Sequence, residues 1–216
     1  MKNETIFFNK AKAVWIEGLE NKKNITVGFK TIFRVQDNPS RFLLRIAALH
    51  LYRIWLNGNI LAWGPARAAH GYARVDEIEL NKFVKSGKNI LAIEVTSYNI
   101  NSYAMANTKP FIQAELLEND RIIAATSCES KDFFSEQLKH RIQKCIRYSF
   151  QRPFAEIYKL NADTEKWRNS TPHSNSSSTL VPVTGISLLP RRVLFPSLNA
   201  VQPELLISEG TIDPVN

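Results

Sequence analysis

"WLNGNILAWGPARAAHGYARVD", residues 55–76, decides the fold. Asn57-Gly58 lies between two apolar and aromatic runs, and this pair tolerates the positive φ that both central positions of a type I′ hairpin turn require. A two-residue turn there sets Leu56 opposite Asn59, Trp55 opposite Ile60 and Tyr52 opposite Trp63. One face then carries Tyr52, Ile54, Leu56, Leu61 and Trp63, and is the more apolar, core-facing one. The other carries Arg53, Trp55, Ile60 and Ala62. Gly64-Pro65 ends the second strand, because proline lacks the ladder N–H and glycine accepts unusual backbone angles. Arg67, His70 and Tyr72 follow in a loop, where binding residues concentrate. Trp55, beside Arg53 on the outer face, is a candidate platform for stacking sugar C–H groups. The commoner arrangement covers such a face with other structure.

The same strand grammar runs outward in both directions. "ITVGFKTIFRV" (25–35) alternates apolar and polar residues, with a slip near Thr31 that reads as a bulge or bend. "RFLLRIAALHLYRIWLNG" (41–58) and "NILAIEVTSY" (89–98) are long apolar strands. "FIQAELLEN" (111–119) and "RIIAATS" (121–127) make a second hairpin around Asn119-Asp120. "CIRYSFQRPFAEIYKL" (145–160) reads as one or two strands divided at Pro153. Helix signal is thin. In "VDEIELNKFVKSGKN" (75–89) Asp76 fits an N-cap, though a short strand followed by one helical turn fits equally. "DFFSEQLKHRIQKC" (132–145) places Phe134, Leu138, Ile142 and Cys145 near one helical stripe. Short strands with turns every ten residues or so point to an all-β, antiparallel sandwich or jelly roll, with one or two short helices. It spans residues 1–160. A polar, serine-rich linker or loop follows over 161–180, then an extended, proline-bearing arm over 181–216.

Composition narrows the function classes. A 44% hydrophobic and 10% aromatic chain is globular. The net charge of +8 is spread along the sequence, and even the densest group (Lys139, His140, Arg141, Lys144, Arg147) is interrupted by apolar residues. A solvated basic face explains it better than a nucleic-acid partner. Nothing approaches the ~18 apolar residues of a membrane span, so no membrane partner is expected. The first residues lack the apolar run of a secretory leader. A periplasmic or secreted site would need a leader outside this sequence, and otherwise the location is cytoplasmic. Cys128 and Cys145 read as two isolated thiols, with a single bridge as the other option.

Catalytic motifs are missing. There is no nucleophile elbow, phosphate loop, zinc-helix signature or dinucleotide fingerprint. His50, His70, His140 and His173 are dispersed without ligand-spaced partners, so neither metal nor cofactor is expected. The carboxylate cluster Asp76, Glu77 and Glu79 reads as a charged surface edge. A paired-carboxylate glycosidase site needs groups across a substrate, roughly 5–10 Å apart. A second polar and aromatic loop, "SYNINSYAMANTKP" (97–110), offers Tyr98, Asn99, Asn101, Tyr103 and Asn107 for hydrogen bonding and stacking. Loops at one end of a jelly roll can converge on such a site.

The run from Tyr52 to Val95 resembles the N-terminal β-sandwich of bacterial α-L-rhamnosidases of glycoside hydrolase family 78. The resemblance rests on Tyr52, Asn57, Gly58, Gly64, Pro65, Arg67, Tyr72, Asp76, Leu80, Gly87 and Asn89, on "KAVWI" (12–16) and "FKTIFRV" (29–35) before it, and on "RYSFQRPFAEIYKL" (147–160) and the arm at 188–210 after it. It implies a galactose-binding-domain-like jelly roll. It also implies a parent enzyme that removes terminal α-L-rhamnose from glycans by inversion. That family's catalytic carboxylates lie in a downstream (α/α)6 barrel, so no catalytic residue carries over to this chain. The expectation is a non-catalytic supporting or carbohydrate-binding domain, and the alternative is a stand-alone carbohydrate-binding module. Its partners would be a rhamnose-containing oligosaccharide or downstream domains of the same polypeptide. Trp55, Arg67, His70, Tyr72, Tyr98, Asn99 and Tyr103 are the candidate sugar contacts.

Overall fold

A computed structural model describes residues 7–36, 40–159, 162–172, 177–197, 204–205, 207–208 and 210. Among them are β1 (Val14–Ile16), β2 (Ile25–Val35), β3 (Phe42–Leu49), β4 (Leu51–Leu56), β5 (Asn59–Gly64), β6 (Tyr72–Glu79), β7 (Gly87–Ser97), β8 (Phe111–Glu118), β9 (Arg121–Ala125), β10 (Phe134–Gln137), α1 (Ala162–Asn169), β11 (Leu180–Pro182) and β12 (Ser187–Pro190). One sheet has the order β11-β1-β8-β3-β6-β12, with β9 also on β8, and the other β10-β2-β7-β4-β5. With the added edge strands removed, the orders are 1-8-3-6 and 2-7-4-5. That interleaving is the jelly roll, in which consecutive strands cross between sheets.

Strand periodicity fills the space between the sheets. The run at 41–58 passes from one sheet to the other at His50, which separates β3 from β4. Its even-numbered residues nevertheless face one core throughout: Phe42, Leu44, Ile46 and Ala48, then Tyr52, Ile54 and Leu56. On β2 the inward residues Val27, Phe29 and Phe33 join them. The pairing of β2 with β7 runs without a register shift from Ile25↔Ser97 to Val35↔Gly87. The bulge expected near Thr31 is therefore not there. Ile32 is simply an apolar residue on the outer face, exposed at 36%.

The Asn57-Gly58 turn forms as expected, with φ of 53° and 81° at its two residues. Leu56 pairs with Asn59 and Trp55 with Ile60, but the register then shifts, so Ile54 pairs with Ala62, Arg53 with Trp63 and Tyr52 with Gly64. The extra residue reverses the expected faces beyond it. Ala62 enters the core, and Trp63 leaves it for the far end of the strand. The Asn119-Asp120 hairpin also forms, both residues having positive φ.

Several local readings are corrected. Of the two readings for 75–89, the strand followed by a turn is realised: β6 continues to Glu79, and Phe83 N and Val84 N both bond to Leu80 O. The helical stripe at 132–145 gives way to β10, whose ladder with β2 supplies partners that an isolated helix would lack. Of the stretch at 145–160, the described residues 145–159 form no strand, only the bridges Arg141↔Tyr158 and Arg147↔Phe154. The helix lies instead in the serine-rich stretch, as α1. In the arm, β11 extends the sheet beside β1, and β12 pairs in parallel with β6. Cys128 and Cys145 are free thiols. His173, the chain start at 1–6 and much of the arm beyond 197 lie outside the described residues.

Candidate functional site

In a jelly roll the chain runs alternately up and down, so among β1 to β8 every odd-to-even connection emerges at one end. Here these are residues 17–24, His50, 65–71 and 98–110. The last three, with Thr184–Ile186 of the arm, enclose a cleft of about 920 Å³. That volume lies toward the upper end of small-molecule sites. Local sequence explains the space. Ala66, Ala68, Ala69 and Gly71 on one wall, and Ala104 and Ala106 on the other, have side chains too small to fill it. Gly71 adopts a φ of 81° to close the turn in which Tyr72 N bonds to Ala69 O.

Larger groups project from this small-residue frame. Trp63, half-buried at the end of β5, and Tyr72, at the start of β6 and 44% exposed, flank the 65–71 loop. Tyr103 stands on the opposite rim, 88% exposed. Its loop is braced internally, Ser102 N bonding to Met105 O and Asn107 N to Asn101 Oδ1. A neighbouring loop steadies it, with Tyr103 N bonding to Gln151 O at 2.6 Å and Arg147 Nη2 to Asn101 O at 3.1 Å. Arg67 and His70 are exposed along the other wall.

His50 lies at the base. Its Nδ1 accepts from Tyr98 N at 3.3 Å, which leaves the proton on Nε2, facing Thr108 Oγ1 at 3.3 Å. Burial lowers its pKa, against a raising contribution from the Ala106 backbone. The neutral ring therefore supports the fold. Its contribution is fully present above the unfolded histidine pKa of about 6.5 and fades as pH falls from there through the lower folded value. Urea unfolding at pH 7.5 and 5.5 is expected to show a stability loss on acidification that His50→Asn reduces. An equal loss in the variant would assign the effect to other groups.

The structure thus gathers Arg67, His70, Tyr72 and Tyr103 into one cleft, together with Asn101 and Asn107. It places the other candidates elsewhere. Trp55 is only 4% exposed, because Arg168 of α1 stacks on its ring with the guanidinium carbon 4.2 Å from the centroid. The candidate sugar platform is covered, as the commoner arrangement has it, by a helix in the serine-rich stretch. Tyr98 is buried beneath Arg141, whose guanidinium carbon lies 5.4 Å from its ring. Asn99 is buried with a φ of 46°, and its amide donates to Glu20 O and Lys22 O at 2.8 and 2.9 Å. It ties β7 to the 17–24 connection and does not reach the cleft.

Asp76 is also corrected. It is fully buried, accepts the Tyr52 hydroxyl and pairs with Arg191 Nη1 at 3.0 Å, so it is neither a cap nor a surface carboxylate. Its neighbours Glu77 and Glu79 do face outward, in exposed pairs with Arg45 and Arg41. Sequence reasoning missed Trp63, because the unseen register shift assigned it to the core, and Arg74, Lys109 and Thr184–Ile186, because only tertiary contacts bring them to this end.

Among the described residues neither aspartate nor glutamate lines the cleft, so they supply no acid–base carboxylate pair there. Among the described residues no three His, Cys, Asp or Glu side chains converge as a metal site, and no helix is long and apolar enough to cross a membrane. What the cleft offers is aromatic surface, amide groups and positive charge.

No family model and no curated protein sequence matches the chain. Solved structures do. The GH78 family rhamnosidase of Bacillus sp. GL1 superposes with a TM-score of 0.75 at 20% identity, over 87% of this chain and 20% of the enzyme. The α-L-rhamnosidase from Dictyoglumus thermophilum matches with a TM-score of 0.61 at 14% identity, over 84% of this chain and 22% of the enzyme. The Aspergillus terreus α-L-rhamnosidase matches at 0.59 and 15%, over 82% of this chain and 21% of the enzyme. At these identities the likeness is one of fold. This chain spans about a fifth of the length of each enzyme.

Proposed function

We propose that this jelly roll is the accessory, non-catalytic sandwich of an α-L-rhamnosidase-like glycoside hydrolase, and that its end cleft holds a rhamnose-containing glycan. The observation that carries the reading is the cleft itself. Trp63, Tyr72 and Tyr103 surround a space of about 920 Å³ with no carboxylate on its walls among the described residues. Aromatic faces stack against sugar C–H groups, and Asn101 and Asn107 supply amide contacts. Hydrolysis with inversion needs a general acid and a general base on opposite sides of the bond, and these would belong to a further catalytic domain. The superposition on about a fifth of several rhamnosidases supports the accessory role.

A second surface supports packing against such a domain. Ile146, Tyr148 and Phe150 are exposed on the loop that braces Tyr103. Neighbouring exposed apolar side chains of this size mark interaction surfaces.

Calorimetric titration with rhamnose and rhamnose-containing oligosaccharides tests the cleft. Saturable binding is expected, weakened by about 1–3 kcal/mol in Tyr103→Ala, the scale of a lost stacking contact plus its buried area. The chain alone is expected to leave an aryl α-L-rhamnoside intact. Binding unaffected by Tyr103→Ala would remove the cleft from the account, and turnover of the aryl rhamnoside would remove the non-catalytic role.

A further inference from the structure

The cleft is charged as well as aromatic, and its charge has one sign. Arg67, Arg74 and Lys109 line it together with His70, and among the described residues no aspartate or glutamate does. Some arginines elsewhere on this molecule pair with carboxylates, Arg41 with Glu79, Arg45 with Glu77 and Arg121 with Glu118. The cations at the cleft have no such partner among the described residues. Arg74 is held by backbone carbonyls, its Nε toward Arg67 O at 3.3 Å and its Nη1 toward Pro190 O at 3.0 Å, which leaves its charge uncompensated. Arg67 and Lys109 make no ion pair among the described residues. A concave site lined by one sign of charge raises the local concentration of the opposite sign.

We infer that the cleft selects an acidic saccharide, one whose ring carries a carboxylate, with Arg67 as the main contact to that group. This rests on the reading of the cleft as a sugar site. A neutral sugar would use the aromatic surfaces of Trp63, Tyr72 and Tyr103 but leave the cations facing water. A uronic acid ring uses both features. Its C–H face stacks on an aromatic side chain, and its carboxylate matches the planar fork of a guanidinium in two parallel hydrogen bonds. Arg67 is suited to this, being exposed on the wall between Trp63 and Tyr72 with its guanidinium not paired to a carboxylate. Lys109 contributes a second positive charge from the opposite loop.

The test is calorimetric titration of the whole chain with a rhamnosyl-galacturonic acid disaccharide and with the same disaccharide reduced at its carboxylate to the neutral alcohol. The acidic form is expected to bind about tenfold more tightly, the equivalent of one charge-assisted contact. The preference is expected to shrink in about 0.5 M salt, where the Debye length falls to about 4 Å. It is also expected to disappear in Arg67→Gln, the ratio of the two affinities falling to about one. Arg67→Gln replaces an exposed guanidinium with a neutral amide, and an unaltered thermal transition will verify its fold. Equal affinity for the two forms would overturn the acidic selectivity and leave the sugar site standing. Binding of neither form would overturn both. An acidic preference that survives in Arg67→Gln would overturn the assignment to Arg67.

Discussion

Asp76→Ala is expected to cost about 3–5 kcal/mol of folding stability, the range for removing one partner of an enclosed ion pair. The carboxyl is fully buried at the join of β4, β6 and the arm. On one side it accepts the Tyr52 hydroxyl, and on the other it holds Arg191 at 3.0 Å. Burial, with Asp76 alongside, pushes the Tyr52 phenol far above its ordinary pKa, so that group remains a donor at any working pH. Arg191 in turn shapes the arm. Its Nε donates to Val193 O at 2.8 Å and its Nη2 to Leu194 O at 3.1 Å, and its guanidinium carbon lies 3.9 Å from the Phe195 ring centroid. Alanine at position 76 strands a buried hydroxyl and a largely enclosed guanidinium together. Urea unfolding measures the cost, and hydrogen exchange over 187–195 should rise first as the arm loosens. A loss below about 1 kcal/mol, with the arm still protected, would mean that β12 pairing alone holds it.

Glu94→Ala is expected to cost about 2–3 kcal/mol and to free α1 from the sheet. Glu94 is buried on the outer face of β7, with Arg168 Nε and His140 Nε2 each 3.3 Å from the same oxygen. The figure lies below the range for a fully enclosed pair because Arg168 keeps some contact with water. The helix has other ties besides the stacking of Arg168 on Trp55. Trp167 packs over Gly28 and donates to Glu136 at 2.6 Å, while Ser170 O accepts from Lys30 at 3.0 Å. Amide exchange across 162–170 reads the release directly. Removing both charges, with Glu94→Gln and Arg168→Met together, is expected to recover part of the loss, because neither group is then left alone. If the double change costs as much as the two single changes added, the pair is not coupled and another contact holds the helix.

These two networks also mark where sequence reading stops. The strands at 25–35, 89–98 and 111–125 were legible because β-periodicity is local and the Asn57-Gly58 and Asn119-Asp120 turns announce themselves by residue type. Asp76 was misread because its partners are 24 residues earlier and 115 residues later in the chain. The helix α1 was missed for a related reason. Its sequence, ADTEKWRN, carries no apolar stripe. It is held by individual contacts to distant side chains, which no window of sequence contains. The stripe at 132–145 had the opposite fault, helical spacing overruled by the free edge of β2.

At the cleft, the two loops that line it were visible as loops rich in binding chemistry, and four of the seven candidates lie in it: Arg67, His70, Tyr72 and Tyr103. Composition and periodicity by themselves determined an all-β chain, its hairpins and the polar loops between its strands, because each follows from side-chain size, backbone freedom and a repeat of two. Only the tertiary structure decided which loops meet. The jelly-roll order brings His50, 65–71 and 98–110 to one end, the register shift after Trp55 turns Trp63 out of the core, and α1 covers Trp55. Each of these depends on pairing between segments far apart in the chain, and local sequence carries no record of which partner a strand or a buried charge will find.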